Sequence, residues 1–415
     1  MDQRTVRVKR RPLGSWRGLP LYLRILIGFA LGVVVGVAAG PSAAPLATPA
    51  RLVLRLLGAI APALVLVAVV HALLNTPLQG RVGARLAGLL LLNTLVAITV
   101  GLLVANIVKP GRHGAPLDAP GAEMAQRADP WAQLLENIPA SLLKPLVENQ
   151  VIGVIFLALA FGIALRLVRD RQAAAGQTDY QGLEGAINTL YSVLIEVLHW
   201  VIAIIPFGVF GIVASIVGTK GFGPFQSLGW FVAAVILALL LQAAYYLARI
   251  RTGSWVRPGA VLRGVRDALV MAFSTASSTA TMPVTYTCLR ENVGLREESA
   301  SMGALVGANF NNDGTALYEA MSALFIAQMI GVDLSLPQQL MVVLTSVVAS
   351  VGAAGIPEAG LVTMTLVFTA VGLPIHYIAI LLTVDWFLDR CRTAINVMGD
   401  VNVSCLLDGR TPPKR

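Results

Sequence analysis

The segment from Val384 to Asp400 reads VDWFLDRCRTAINVMGD and concentrates three aspartates, two arginines and an asparagine. It continues directly from the apolar run IAILLTV, Ile378–Val384. On an α-helix at about 100° per residue, with Asp385 at zero, Asp389 falls at about 40°, Arg392 at about 340° and Asn396 at about 20°. Asp400 then falls at about 60° and Thr393 at about 80°, so six polar groups share one stripe about 100° wide. Arg390, at about 140°, lies on its flank. A solvated surface helix could carry such a stripe, but the apolar run leading into it argues for a helix inside a membrane protein. There each central Asp or Arg opposes insertion by about 2.5–3.5 kcal/mol, so the stripe must face other protein groups or a ligand. The chemistry suits a small zwitterion with a second acid. The planar two-pronged guanidinium of Arg392 matches a carboxylate, and Asp389 one turn away can take an ammonium group. Asp400, with Asn396 and backbone carbonyls, offers hard oxygen ligands suited to an alkali cation.

Two further segments carry similar polarity. STASSTAT, Ser274–Thr281, joins hydroxyls to small residues that permit close backbone approach, and its tip can present free amides to a carboxylate. NFNNDGT, Asn309–Thr315, puts Asn309, Asn311, Asn312 and Asp313 ahead of a helix-breaking Gly314, a pattern that reads as ion coordination at a broken membrane helix.

The elements that must position these groups follow from composition. The chain has 415 residues, 56% hydrophobic and only 13% charged, with a mean hydropathy of +0.75. Soluble domains carry roughly 25% charged residues, so the balance defines a polytopic membrane protein. Apolar periodicity places six spans at about 20–40, 52–75, 84–109, 148–168, 185–218 and 226–250. Alternating ten-residue strands of a membrane β-barrel are absent from this pattern. Pro206 and Gly208 predict a kink in the fifth span. His71, Glu196 and His199 fall inside spans and read as polar groups satisfied at helix contacts or interfaces. Beyond residue 265 the apolar segments are interrupted by small and polar residues, including ASVGAAGIPEAG, Ala349–Gly360. Irregular backbone facing lipid leaves amides unsatisfied, so these stretches must be packed in protein or line a wet cavity, as two re-entrant hairpins would.

The net charge of +9 does not indicate nucleic-acid binding, because the basic residues flank spans. Arg4, Arg7, Lys9, Arg10 and Arg11 precede the first span; Arg166, Arg169 and Arg171 follow the fourth; Arg249, Arg251, Arg257, Arg263 and Arg266 follow the sixth. This bias predicts an N-terminus and even-numbered loops in the cytoplasm; the expected setting is a bacterial-type inner membrane, with both termini cytoplasmic. Cys288, Cys391 and Cys405 form no metal spacing and suggest no disulfide framework.

Taken together, the serine-rich hairpin, the NNDGTALYE helix, the SVGAAGIPEAG hairpin and DWFLDRCRTAINVMGD make the chain resemble the dicarboxylate/amino acid:cation symporters, the group of archaeal aspartate and animal glutamate transporters. The resemblance implies an all-α fold with eight transmembrane helices and two re-entrant helical hairpins, working as a homotrimer by an elevator-type movement. It divides the chain into a basic tail (1–18), scaffold helices (19–78), a transport-domain helix (79–110) and an extracytoplasmic loop (111–147). Further scaffold helices (148–220), the main transport domain (221–405) and a cytoplasmic tail (406–415) complete it.

Position by position, the resemblance gives Arg392 to the substrate's side-chain carboxylate and Asp389 to its amine. Thr315, Thr393 and Asn396 complete the contacts; Ser277 and Ser278 of the first hairpin and Ile356 and Gly360 of the second close over the substrate. One sodium site would use Gly307, Asn311, Asn396 and Asp400. A second would use Asn309, Asn312, Ser350, Val351 and Ala353, and a deep third Asn93, Thr94, Asn311 and Asp313. Glu319, Asp385 and Arg390 take coupling or supporting roles. Sodium is the implied coupling ion, with protons and potassium as further ions used in the family. The chain departs from the family pattern where Asn312 replaces a methionine, Asn309 and Asn93 replace threonines, and Leu90 replaces a tyrosine near the deep site. Aspartate or glutamate is the expected substrate. A C4-dicarboxylate or neutral amino acid is the alternative within the family, and an intramembrane hydrolase, suggested only by Gly399–Asp400 and the serine tract, the alternative outside it.

Overall fold

The computed structural model describes residues 19–75, 80–114, 139, 141–148, 150–352 and 359–413. The basic tail at 1–18, most of the loop at 111–147, and Ala353 and Ile356 lie outside this set, as does the side chain of Val351. The described residues are helical and contain no strand. Helices α1 (Leu21–Ala39), α2 (Thr48–Asn75), α3 (Gly80–Val108), α4 (Val151–Ala174) and α7 (Gly223–Gly253) occupy the expected spans. The fifth span is two helices, α5 (Tyr180–Ile202) and α6 (Ile205–Lys220). They break at Ala203–Ile204, and Pro206 occupies the first turn of α6, where its missing N–H deprives no carbonyl of a donor. Leu21–Leu74, Gly83–Arg112, Tyr180–Lys220 and Gly223–Gly253 are long and apolar enough to cross a membrane.

The irregular half begins with α8 (Arg266–Thr275) and α9 (Ser278–Thr287), a hairpin whose tip is Ala276–Ser277. Ala276 adopts φ 52°, the left-handed conformation that ends α8, and Ser277 caps α9 by accepting a hydrogen bond from the Ala280 N–H. After a π-helical turn at Met302–Val306 and a single α turn at Gly307–Phe310, the backbone breaks at Asn311 (ψ 81°) and Asn312 (ψ 47°). α10 (Asp313–Met329) then resumes and is buried on all sides from Asp313 to Ala327. α11 (Leu336–Gly352) and α12 (Ala359–Ala370) pack together as the arms of the second hairpin, and α13 (Ile378–Asp408) closes the chain.

Packing sorts these helices into two groups. α1, α2, α4, α5 and α6 pack chiefly on one another, whereas α3, α7 and α8 through α13 surround the α10–α13 contact. α1 meets α6 through Gly28, Gly32 and Gly36, spaced four residues apart on one face. A Cβ at Gly32 would lie 2.7 Å from the Phe210 carbonyl oxygen, and one at Gly36 2.7 Å from that of Ala214. Such a small-residue ridge lets two membrane helices touch backbone to backbone.

Candidate substrate and cation site

α13 buries the charged stripe as its periodicity requires. Asp385, Asp389, Arg392, Thr393, Asn396 and Asp400 are all buried, and Arg392 has no exposed surface. Nη2 of Arg392 lies 3.0 Å from Asp385 Oδ1 and donates to Asp389 Oδ1 at 2.8 Å. The first contact lacks hydrogen-bond alignment, so both Asp385 oxygens are without a hydrogen-bond partner among the described residues. The guanidinium also sits 4.0 Å over the Tyr318 ring of α10, a cation–π contact that holds its plane against that helix. A Cβ at Gly360 would meet Nη1 and Nη2 at 3.4 and 3.5 Å, so a bare glycine backbone faces the charge. Nε and Nη1 are buried with no hydrogen-bond partner among the described residues. Buried donors are ordinarily satisfied, so two orphans on one guanidinium mark a place for an acceptor that the described residues do not supply.

Around this centre, Asn396 ties α13 to the broken helix. Its Oδ1 accepts from the Gly314 N–H at 2.8 Å, and its Nδ2 faces Asn312 Oδ1 at 3.3 Å and Thr315 Oγ1 at 3.4 Å. Arg390 lies half-buried on the flank and donates through Nη1 to the carbonyls of Phe273 (3.3 Å) and Ser274 (2.9 Å) at the end of α8. It thereby docks the first hairpin, whose Ser277 and Ser278 are buried, onto α13. Glu319 is fully buried, accepts a hydrogen bond from the Thr363 hydroxyl, and keeps Oε2 without a partner among the described residues.

The first expected cation cluster is assembled. Asn311 donates to the Asn396 carbonyl (3.0 Å) and to Asp400 Oδ1 (2.9 Å), and its own Oδ1 is buried without a partner among the described residues. Gly307 is pressed against Asp400, whose Cβ would lie 3.2 Å from an added Cβ at that glycine. A carboxylate, an unengaged amide oxygen and adjacent carbonyls form a donor set that fits sodium. The second cluster forms only in part. Asn312 donates to the Ser350 carbonyl at 2.9 Å, but Asn309 is exposed and donates to Leu305 O, one turn back in its own helix. A π-helical turn, Met302–Val306, immediately precedes this segment.

The deep cluster differs most from expectation. Asp313 is fully buried and accepts from Thr94 Oγ1 at 2.6 Å and from the Tyr246 hydroxyl. Asn93 Oδ1 accepts from Arg249 Nη1 at 2.6 Å, and its Nδ2 donates to Asn402 Oδ1 at 3.2 Å. Neither Tyr246 nor Arg249 was legible as a site residue. Both lie on the apolar span α7, and only the fold shows which helices that span touches. Of the polar residues in spans, His71 stacks on Tyr191 with ring centroids 4.3 Å apart. Glu196 and His199 face outward, where Glu196 accepts from Trp200 Nε1 at 3.0 Å.

The described residues form a helical chain with apolar spans, two hairpins interrupted by polar and small residues, and a buried arginine–aspartate centre. The chain matches the Sodium:dicarboxylate symporter family over residues 21–410 and belongs to it. It is 40% identical over 257 residues to excitatory amino acid transporter 1 of Ambystoma tigrinum, covering 60% of this chain and 45% of that protein. It is 40% identical over 253 residues to human excitatory amino acid transporter 2 (60% and 43%), and 38% over 258 residues to an excitatory amino acid transporter of Caenorhabditis elegans (60% and 49%). The aligned part thus spans less than half the length of these relatives.

Proposed function

We propose that the chain carries an acidic amino acid, aspartate or glutamate, across a membrane in symport with a cation. The observation that carries this reading is Arg392, which is wholly buried, with Nε and Nη1 unpartnered among the described residues and two aspartates beside its Nη2. A substrate carboxylate satisfies the orphan donors, and Asp389 receives the amine. A neutral substrate leaves the guanidinium unsatisfied, at a cost of about 1–3 kcal/mol, and a plain dicarboxylate leaves Asp389 without a cation. Asn396 and Thr315 meet beside this centre, and Thr393 lies on the same buried stripe of α13. Ser277 and Ser278 of the first hairpin and Gly360 of the second cover the substrate, with Ile356, which lies outside the described residues, as a further candidate contact. Asp385 positions Arg392.

Sodium is the coupling ion, held at Asp400 with Asn311, Asn396 and Gly307, because the unengaged Asn311 oxygen supplies a ligand there. Glu319, buried with one oxygen unpartnered among the described residues, supports a proton as a second coupling ion. Elevator-type movement is supported by the division into two packing groups: α1, α2, α4, α5 and α6 form the scaffold, and the remainder the moving part. The chain assembles as a homotrimer in an inner membrane, with eight spans and cytoplasmic termini. The test is uptake of labelled aspartate into proteoliposomes with sodium and proton gradients imposed separately. Accumulation above equilibrium under an inward sodium gradient is expected; aspartate that fails to accumulate under either gradient overturns the reading.

A further inference from the structure

The deep cluster around Asp313 was expected to bind a cation through Asn93, Thr94, Asn311 and Asp313, yet most of its oxygens are engaged by protein donors. Asp313 Oδ1 accepts from Thr94, and Oδ2 from Tyr246. Asn93 Oδ1 accepts from the Arg249 guanidinium at 2.6 Å, and the Asn93 carbonyl accepts from Gln242 Nε2 at 3.3 Å. Asn402 anchors the arrangement by donating to the Tyr246 carbonyl at 3.0 Å. The Tyr246 side is tightly filled: a Cβ at Gly399 of α13 would fall 2.9 Å from the Tyr246 hydroxyl. Two acceptors in this neighbourhood lack a partner among the described residues, Gln242 Oε1 and Asn311 Oδ1; the Nδ2 of the same Asn311 amide donates to Asp400. Two neutral amide oxygens do not make a sodium site, which needs several converging lone pairs, while the Asp313 carboxylate and both Asn93 oxygens are engaged by protein donors.

Arg249 brings a positive charge into this cluster. It is half-buried, fixed to Asn93 at one edge and 5.6 Å from the Tyr245 ring centroid. Tyr246, one turn earlier on the same helix, reaches Asp313. α7 therefore delivers a neutral donor to the aspartate and a cation to the asparagine next to Thr94. For sodium to use Asn93, the guanidinium must give up a charge-assisted hydrogen bond and then tolerate a second cation nearby in a medium of low dielectric.

We propose that Arg249 is a built-in cation that takes the place of sodium at the deep cluster, so that this chain loads sodium beside Asp400 but not between Asn93, Thr94 and Asp313. The inference rests on the reading of the chain as a cation-coupled carrier and changes how many ions it carries. Asp313 then has a structural task, fastening α3 and α7 to the broken helix, in place of an ion-binding one.

The test is thermal unfolding of the purified full-length chain in detergent, without amino acid, in sodium chloride against choline chloride of equal ionic strength. Arg249→Ala is expected to gain a sodium-specific stabilisation over wild type of about 2–4 °C, as a newly opened site filled with ion would give. Arg249→Lys, which keeps the charge, is expected to gain none, and adding Asn93→Ala to Arg249→Ala is expected to remove the gain. A structural role for Arg249 alone would lower the melting point equally in both salts. If Arg249→Ala does not yield folded protein, Arg249→Met, which preserves the packing stem, is judged by the same criterion. A sodium response in the charge-removing variant equal to that of wild type overturns the proposal, as does an equal gain in Arg249→Lys. Because the readout uses sodium alone, failure of the acidic-amino-acid reading appears in the uptake assay and leaves this result standing.

Discussion

The α1–α6 contact and the α10–α13 contact join membrane helices by opposite means. α1 and α6 meet over Gly28, Gly32 and Gly36 with backbone against backbone, and nothing polar is needed beyond close fit. α10 and α13 meet over Arg392, Asp385, Asp389, Asn396 and Tyr318, with one guanidinium beside two carboxylates and two of its nitrogens unpartnered among the described residues. The first is suited to holding still. The second carries groups left unsatisfied among the described residues, which in apolar surroundings is costly and is the difference that the proposed substrate site rests on.

The contrast has consequences that can be measured. Removing charge should injure the second contact most. Arg392→Cys leaves Asp385 and Asp389 facing each other without their cation, and uncompensated buried charge costs about 3–5 kcal/mol. A large drop in melting temperature is expected, partly restored by adding Asp385→Asn. No restoration would mean that Arg392 matters for its volume and not for its charge. Adding bulk should injure the first contact. Gly32→Val places side-chain carbon against the Phe210 carbonyl and the Val213 side chain, and overpacking of this kind costs about 1–3 kcal/mol. Its effect should appear in stability while the apparent affinity for aspartate stays near wild type. An affinity change larger than the stability change would show that α1 and α6 shape the site directly.

How much of this was legible in the sequence depended on where the partners lie. The stripe on α13 was readable because a regular helix turns polar spacing into one face, and Arg390 fell on the flank by the same arithmetic. The broken helix at Asn311–Asn312 announced itself through Gly314 and a run of side chains too polar for lipid. The glycine ridge of α1 carried a spacing signal in Gly28, Gly32 and Gly36, but its partner, α6, lies far along the chain. The pairing of Arg249 with Asn93 spans 156 positions. Arg249 read from sequence as one more basic residue flanking a span, because charge near a helix end has a topological explanation ready to hand. Asn309, which the resemblance places at a cation site, is exposed and donates to the Leu305 carbonyl, and the sequence carries no local signal of that orientation.

The central claim is that Arg392 recognises the acidic side chain of the substrate. It is tested most directly by comparing wild-type and Arg392→Cys protein, reconstituted at matched amounts, for uptake of labelled aspartate and labelled alanine under an inward sodium gradient. Loss of aspartate uptake, with alanine uptake retained or gained, is the result expected. Aspartate uptake by Arg392→Cys with unchanged affinity would contradict it.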